Sequence, residues 1–149
     1  MSDPTPREVF LRLVHGVAEE RYGELPDLYA ETTDVRHPMA TPPARPLTSR
    51  DELREHFSGM ERASLPRRRV VDVVVHETTD PEVIVAEFGY EFPNGDGPAT
   101  TVPCVFVMRV RNGEIVESRD YIDPLRTRLA RDDIGGLAAA LRATRGSGA

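Results

Sequence analysis

One carboxylate and two imidazoles in this sequence occupy positions suited to proton transfer. Asp120 lies in the run Glu114–Ile122, where Val116, Ser118, Asp120 and Ile122 alternate onto one strand face. Such a carboxylate loses hydration. Its pKa rises above the solution value of about 3.9, and it can donate and recover a proton near neutral pH. The alternative is an ion pair with Arg109 or Arg119 at a sheet edge. His56 shares a helical stripe with Leu53, Phe57 and Met60, so its ring is directed inward, toward either the backbone or a ligand. His37 ends an early strand before Pro38, where it either meets a ligand carbonyl or caps the loop. Tyr90 alternates with Phe88 and Phe92. The three are expected as pocket wall or core, with the Tyr90 hydroxyl an orienting donor. Arg109, Glu87 and Glu91 are inward or outward according to strand phase. His15 and His76 read as histidines without partners, and Asp123 as a turn residue.

Other chemistries lack their residues. Four histidines and one cysteine show no metal-ligand spacing, so no metal is expected. A Gly-rich phosphate loop, a dinucleotide fingerprint and a Gly-x-Ser-x-Gly elbow are all missing, and no cofactor is expected. Cys104, beside Pro103 in a strand, reads as an inert core thiol and cannot form an internal disulfide, which fits a reducing cytoplasm. A net charge of −6 argues against nucleic acid as a partner, and the run Arg67–Arg69 reads as a solvated lead-in to a strand. No apolar stretch approaches the ~20 residues that span a bilayer and no secretory signal is visible, so a cytoplasmic protein with no membrane partner is expected. All 19 basic residues are Arg. With the abundant Ala, Gly, Pro and Val, this points to a GC-rich bacterial genome.

The elements that must position these residues follow from pattern. Thr5–Glu8 is a capping box opening a helix with Phe10, Leu13, Val14 and Val17 on one stripe, stopped at Tyr22-Gly23. Leu25, Leu28 and Tyr29 suit a short second helix begun by Pro26 and Asp27. Thr33–His37 reads as a short strand, and the four prolines in Pro38–Pro46 impose a loop. A second capping box, Ser49–Glu52, opens the helix that carries His56. Strands are expected at Val70–Glu77, Val83–Phe92, Thr100–Val110 and Glu114–Ile122, with Asn112-Gly113 as the strongest hairpin turn. A last helix fits around Leu137 and Leu141, but Gly135-Gly136 weakens it. Residues 135–149 are therefore expected as a loosely ordered tail, with Arg145–Ala149 disordered. Helices ahead of a four-stranded antiparallel meander give one α+β domain over residues 1–149, with its helices on one sheet face.

Register decides which residues join Asp120. A two-residue turn pairs Val110 with Ile115. It puts Phe106 and Met108 with Arg119 and Tyr121, and Val105 and Val107 with Asp120; a bulge would reverse this. Both faces are substantially apolar. Helices cover one, and the other is expected to meet a second copy in a homodimer.

The stretch Asn112–Pro124, with its Arg119-Asp120-Tyr121 ending, resembles the closing hairpin of SnoaL-like proteins in the nuclear-transport-factor-2-like and ketosteroid-isomerase-like superfamily. Leu28-Tyr29-Ala30, His37-Pro38, Ser49–Leu53 and Thr79–Glu82 fit the same pattern. The resemblance implies a cone-shaped half-barrel, a curved antiparallel sheet with N-terminal helices packed over an apolar pocket, dimerised through the outer sheet face. It also implies a cofactor-independent enzyme of bacterial secondary metabolism, catalysing cyclisation, isomerisation or dehydration of an apolar oxygenated small molecule. Asp120 matches the closing-strand acid/base, with His56 or His37 polarising or positioning a carbonyl. Phe57, Met60, Phe88 and Tyr90, with Ser118 and Ile122 beside Asp120, are the implied substrate contacts. Leu53-Arg54-Glu55-His56 is similar to a helix of the phenazine-pathway PhzA/PhzB proteins. Limonene-epoxide hydrolases share the Arg-Asp-Tyr ending, but their Arg-x-Asp and Tyr-x-Asn pairs are missing from Ala86–Tyr90 and Val35–His37. Epoxide hydrolysis and non-catalytic ligand binding are the alternatives.

Overall fold

The first helix begins where its cap predicts. The computed structural model describes residues 2–147. In α1 (Pro6–Ala18), Thr5 Oγ1 accepts from the Glu8 amide at 3.2 Å and Pro6 fills the first turn. Its stripe of Val9, Phe10, Leu13, Val14 and Val17 is buried. A Cβ on Gly16 would lie 2.5 Å from a methyl of Leu25, so glycine is what lets the next segment pack against α1. That segment is a short helix as expected, but a 3₁₀ one over Tyr22–Leu28, which starts ahead of Pro26 and stops before Tyr29. Pro26 brings no amide donor and β-branched residues follow, so the chain leaves the helical region early. Tyr29 opens β1 (Tyr29–Arg36), which is longer than the strand expected from Thr33.

After the proline loop come a short β2 (Leu47–Ser49) and α2 (Arg50–Ala63), capped by Ser49 Oγ accepting from the Glu52 amide at 3.1 Å. The remaining strands are β3 (Arg69–Glu77), β4 (Val83–Asn94), β5 (Gly97–Arg111) and β6 (Glu114–Ile122). They form one curved, unclosed sheet in the order β2-β1-β6-β5-β4-β3. The expected meander of four strands therefore runs from β6 to the edge strand β3, and β1 and β2 extend the sheet beyond β6. β1 joins β6 in parallel, a pairing between distant segments that no hairpin signal announces.

The hairpin at Asn112-Gly113 has φ values of 52° and 76°, both in the left-handed region a primed turn needs. Val110 faces Ile115 as expected, but Arg109 faces Glu117, so Val116 is an extra residue in β6. The bulge reverses the register beyond it. Met108 faces Ser118 and Phe106 faces Asp120, on the inner side of the sheet. Val105 and Val107 go to the outer side. Ile115 is buried with the core while Val116 is only partly covered, which corrects the simple alternation.

Past β6, Asp123 accepts from the Leu125 and Arg126 amides at 2.9 and 3.0 Å and caps α3 (Pro124–Ala130). Residues 135–147, expected as a loose tail, lie in α4 (Ile134–Ser147). Asp133 Oδ1 accepts from the Gly136 amide at 3.0 Å, a cap that supports the start despite the glycine pair. Residues 148 and 149 of the expected disordered end lie outside the described residues. No helix among the described residues is long and apolar enough to cross a membrane.

Candidate functional site

A cavity of about 200 Å³ opens between the inner sheet face, α1, α2 and the start of the C-terminal helices. The bulge at Val116 turns Ser118 and Asp120 to the inner sheet face, where Asp120 borders the cavity and is only 6% exposed. The Ser118 hydroxyl donates to Asp120 Oδ1. Burial raises the Asp120 carboxyl to about 7, and the Ser118 hydrogen bond is the force that opposes this rise. Neither Arg109 nor Arg119 is its partner: Arg109 pairs with Asp80 and Glu82 at 2.9 Å, and Arg119 is exposed.

His37 Nε2 lies 3.6 Å from Asp120 Oδ2, beyond a direct hydrogen bond. Burial lowers the His37 pKa. The His56 ring stacks on His37 with centroids 5.3 Å apart, and burial together with the neighbouring imidazole brings His56 down to about 4. Burial therefore disfavours the charged form of all three groups, and with its imidazole unprotonated at neutral pH His37 does not form an ion pair with Asp120.

Of the expected substrate contacts, Phe57, Met60, Tyr90 and Ile122 line the cavity. Phe88 does not. Its ring packs edge-on against Phe10 at 5.3 Å and Phe106 at 5.0 Å, so it supports the wall from behind. Ser118 is likewise sealed beneath Asp120 and reaches the cavity only through it. Cys104 is buried too, its thiol pushed up to about 12, as an inert core thiol should be. Glu87, Glu91 and Arg109 face outward. Glu87 pairs with His76 at 2.7 Å, so that histidine has a partner after all, and Glu91 pairs with Arg69.

Sequence reasoning missed several wall residues. Tyr29 was assigned to a helix, yet it opens β1 and lines the cavity. The hydroxyls of Tyr29 and Tyr90 make no hydrogen bond among the described residues, while no deeply buried side-chain polar atom lacks a partner; both hydroxyls open onto the cavity. Burial raises both phenols well above their ordinary value, so they remain donors. Arg68 was read as solvated, but its guanidinium lies 5.4 Å from the Tyr90 ring centroid and 5.1 Å from that of Phe92. Strand parity with the half-buried Val70 was the available signal. Thr127 and Arg131 come from α3 and its end, where the sequence carried no site signal.

A second cavity of about 310 Å³ lies under the proline loop, lined by Met39, Arg45 and Arg128 among others. His37, His56, Asp120, Ile122, Thr127 and Arg131 border both cavities, so the titratable group sits at their junction. No cluster of three or more His, Cys, Asp or Glu among the described residues is arranged to hold a metal ion.

Residues 10–118 match the SnoaL-like domain. An uncharacterized PhzA/B-like protein of Pseudomonas aeruginosa is 35% identical over 85 residues, which span 53% of this chain and 55% of that protein; the match thus covers about half the length of the relative. Among solved structures, a suspected isomerase from Bacillus subtilis superposes with a TM-score of 0.73 at 18% identity, covering 84% of this chain and 91% of that one. A Catenulispora acidiphila protein with a ketosteroid isomerase-like fold superposes with a TM-score of 0.67 at 17% identity, covering 87% of this chain and 95% of that one. At such identities these likenesses concern the fold.

Proposed function

The chain belongs to the SnoaL-like family, and on that premise we propose that it is a cofactor-independent enzyme moving a proton on an apolar, carbonyl-bearing small molecule. The observation that carries the reading is Asp120: a buried carboxyl without a counter-cation, raised to about 7, at an open apolar cavity. Near that pH both protonation states are populated, so one group can take a proton and return it.

In the first step the Asp120 carboxylate removes a proton from carbon next to the carbonyl. The C–H electron pair becomes the enolate π bond, and the negative oxygen accepts hydrogen bonds from the Tyr29 or Tyr90 hydroxyl. His37, backed by His56, positions the carbonyl. The proton on Asp120 then returns to a different carbon, which is isomerisation. In cyclisation the enolate carbon attacks a second carbonyl and the proton goes to the new alkoxide; loss of water from that product is dehydration. The cavity wall keeps bulk water from quenching the enolate.

Epoxide opening lacks support at this site, because Asp120 has Ser118 and His37 as neighbours and, among the described residues, no arginine or second aspartate bonds to it. A purely binding role is the remaining rival. The test is α-deuteration of bicyclic ketones such as 2-tetralone in D2O, followed by NMR. The wild type should exchange faster than buffer and Asp120→Asn should fall to the buffer rate; equal exchange by the two proteins would sink the proton-transfer reading.

We also propose a homodimer through the outer sheet face. Half-buried Val85, Val105, Val107 and Tyr121 form its apolar centre, and charged pairs such as His76–Glu87 surround it. Light scattering after size exclusion should give twice the chain mass; a monomer at micromolar concentration would refute it.

A further inference from the structure

Two guanidiniums at the cavity lack the carboxylate that most of their counterparts have. Arg128 pairs with Asp133 at 2.7 Å, and Arg109 holds Asp80 and Glu82. Among the described residues neither Arg68 nor Arg131 makes an ion pair, although both line the cavity. Arg68 is fixed in place, over the Tyr90 and Phe92 rings and with Nη2 3.4 Å from the Tyr22 hydroxyl. Arg131 stands where the two cavities meet. Partial burial holds its pKa below the usual arginine value, and the positive charges of Arg68 and Arg128 add to this. Asp133, held by Arg128, offsets part of this charge, but neither Arg68 nor Arg131 has an ion-pair partner of its own among the described residues. They do not serve Asp120, whose carboxyl is set by burial and by Ser118.

We propose that Arg68 and Arg131 form an anion subsite that holds the carboxylate of an apolar carboxylic acid, presenting the rest of that molecule to Asp120. The inference rests on the proposed small-molecule reading and narrows its substrate class. A guanidinium offers a planar fork that matches a carboxylate, and the aromatic faces beneath Arg68 limit the entropy lost on binding. A carboxylate suits the site better than a phosphate. The remaining wall is mainly apolar, with two phenol hydroxyls, two imidazoles and Thr127 as its few polar side chains besides Asp120, whereas a dianion would call for a denser set of N–H groups. Separation of the two functions also follows: the arginines anchor one end of the ligand, and the Asp120–His37–His56 group meets the other.

The experiment uses the full chain and two probes of one shape, 2-naphthoate and the neutral 2-naphthamide, titrated by calorimetry at pH 7. Imidazole proton shifts of His37 and His56 locate the bound probe. The wild type should prefer naphthoate by about tenfold or more, a difference of about 1.4 kcal/mol. Arg68→Gln and Arg131→Gln should each remove most of that preference while leaving naphthamide affinity unchanged. Arg131 caps α3 on the exposed side, so its variant remains informative if Arg68→Gln fails to fold. Equal affinity of the two probes for the wild type, or a preference that survives both substitutions, overturns the subsite while the pocket stands. Failure of both probes to bind overturns the subsite and the small-molecule reading together.

Discussion

The two faces of the sheet handle charge in opposite ways. On the outer face several charges meet an opposite charge: Arg109 bridges Asp80 and Glu82, Arg111 adds a second fork to Glu82 at 2.9 Å, and His76 meets Glu87. These groups remain hydrated; hydrogen bonds from the Glu82 amide and then Arg109 lower the Asp80 carboxyl, and those from Arg111 and Arg109 lower that of Glu82. On the inner face Asp120 has one hydroxyl and a neutral imidazole, and burial drives its carboxyl the other way. Paired surface charge contributes little and changes little with pH near neutrality, whereas a lone buried carboxyl is poised to change state there. The difference teaches where a proton can be handled in this molecule.

The sharpest break in that contrast is Asp120→Asn. It should lower turnover by about 10²- to 10⁴-fold while leaving the fold intact, as circular dichroism will check, whereas Glu87→Gln on the outer face should leave turnover unchanged. The same variant tests the electrostatics through stability. Asp120 titrates near the ordinary aspartate value of 3.8 when unfolded and at about 7 when folded. Between those values the folded state holds a proton that the unfolded state has released, so wild-type stability falls as pH rises through the window, by on the order of 4 kcal/mol. Asp120→Asn should lack this fall. Denaturant curves should show it gaining on the wild type from little at pH 4 to the full difference near pH 8.

His37 and His56 act in the opposite direction, because burial depresses their folded pKa values. Their share of stability is present above about 6.5 and is lost as pH falls through the folded value, about 4 for His56. His37→Gln should reduce turnover by roughly tenfold, a smaller loss than at Asp120, with the rate-versus-pH midpoint retained. Ser118→Ala removes the hydroxyl that opposes the rise of Asp120, so the midpoint of the pH–rate profile should move upward with only a fewfold loss of kcat. Arg109→Gln should have the smallest effect, leaving kcat within about twofold of wild type; a change in the pH midpoint there would show that the two faces are coupled.

Much of the fold was legible because its signals are local. Thr5 and Ser49 capped the helices they were expected to cap, and the Asn112-Gly113 turn set Glu114–Ile122 as a strand with the observed bounds. Asp120 and His56 were singled out by residue type on apolar stripes and His37 by its place at the end of the early strand, and all three border the same cavity. The misassignments were of another kind. Phe88 and Tyr90 alternate onto the same face and differ only in whether α1 packs over them. Arg68 looked solvated within its charge run, and Tyr29 looked helical beside Leu28.

The sequence alone therefore determined the α+β class, the caps, the central strands and the inventory of groups able to move a proton, since each depends on residues a few positions apart. Tertiary structure decided the rest. The parallel pairing of β1 with β6 joins distant segments, the bulge at Val116 selected the inner face for Asp120, and α3 brought Arg131 to the opening. Burial is the property that turns Asp120 from a surface acid into one titrating near 7, and burial is a sum over neighbours from the whole chain that no local pattern contains.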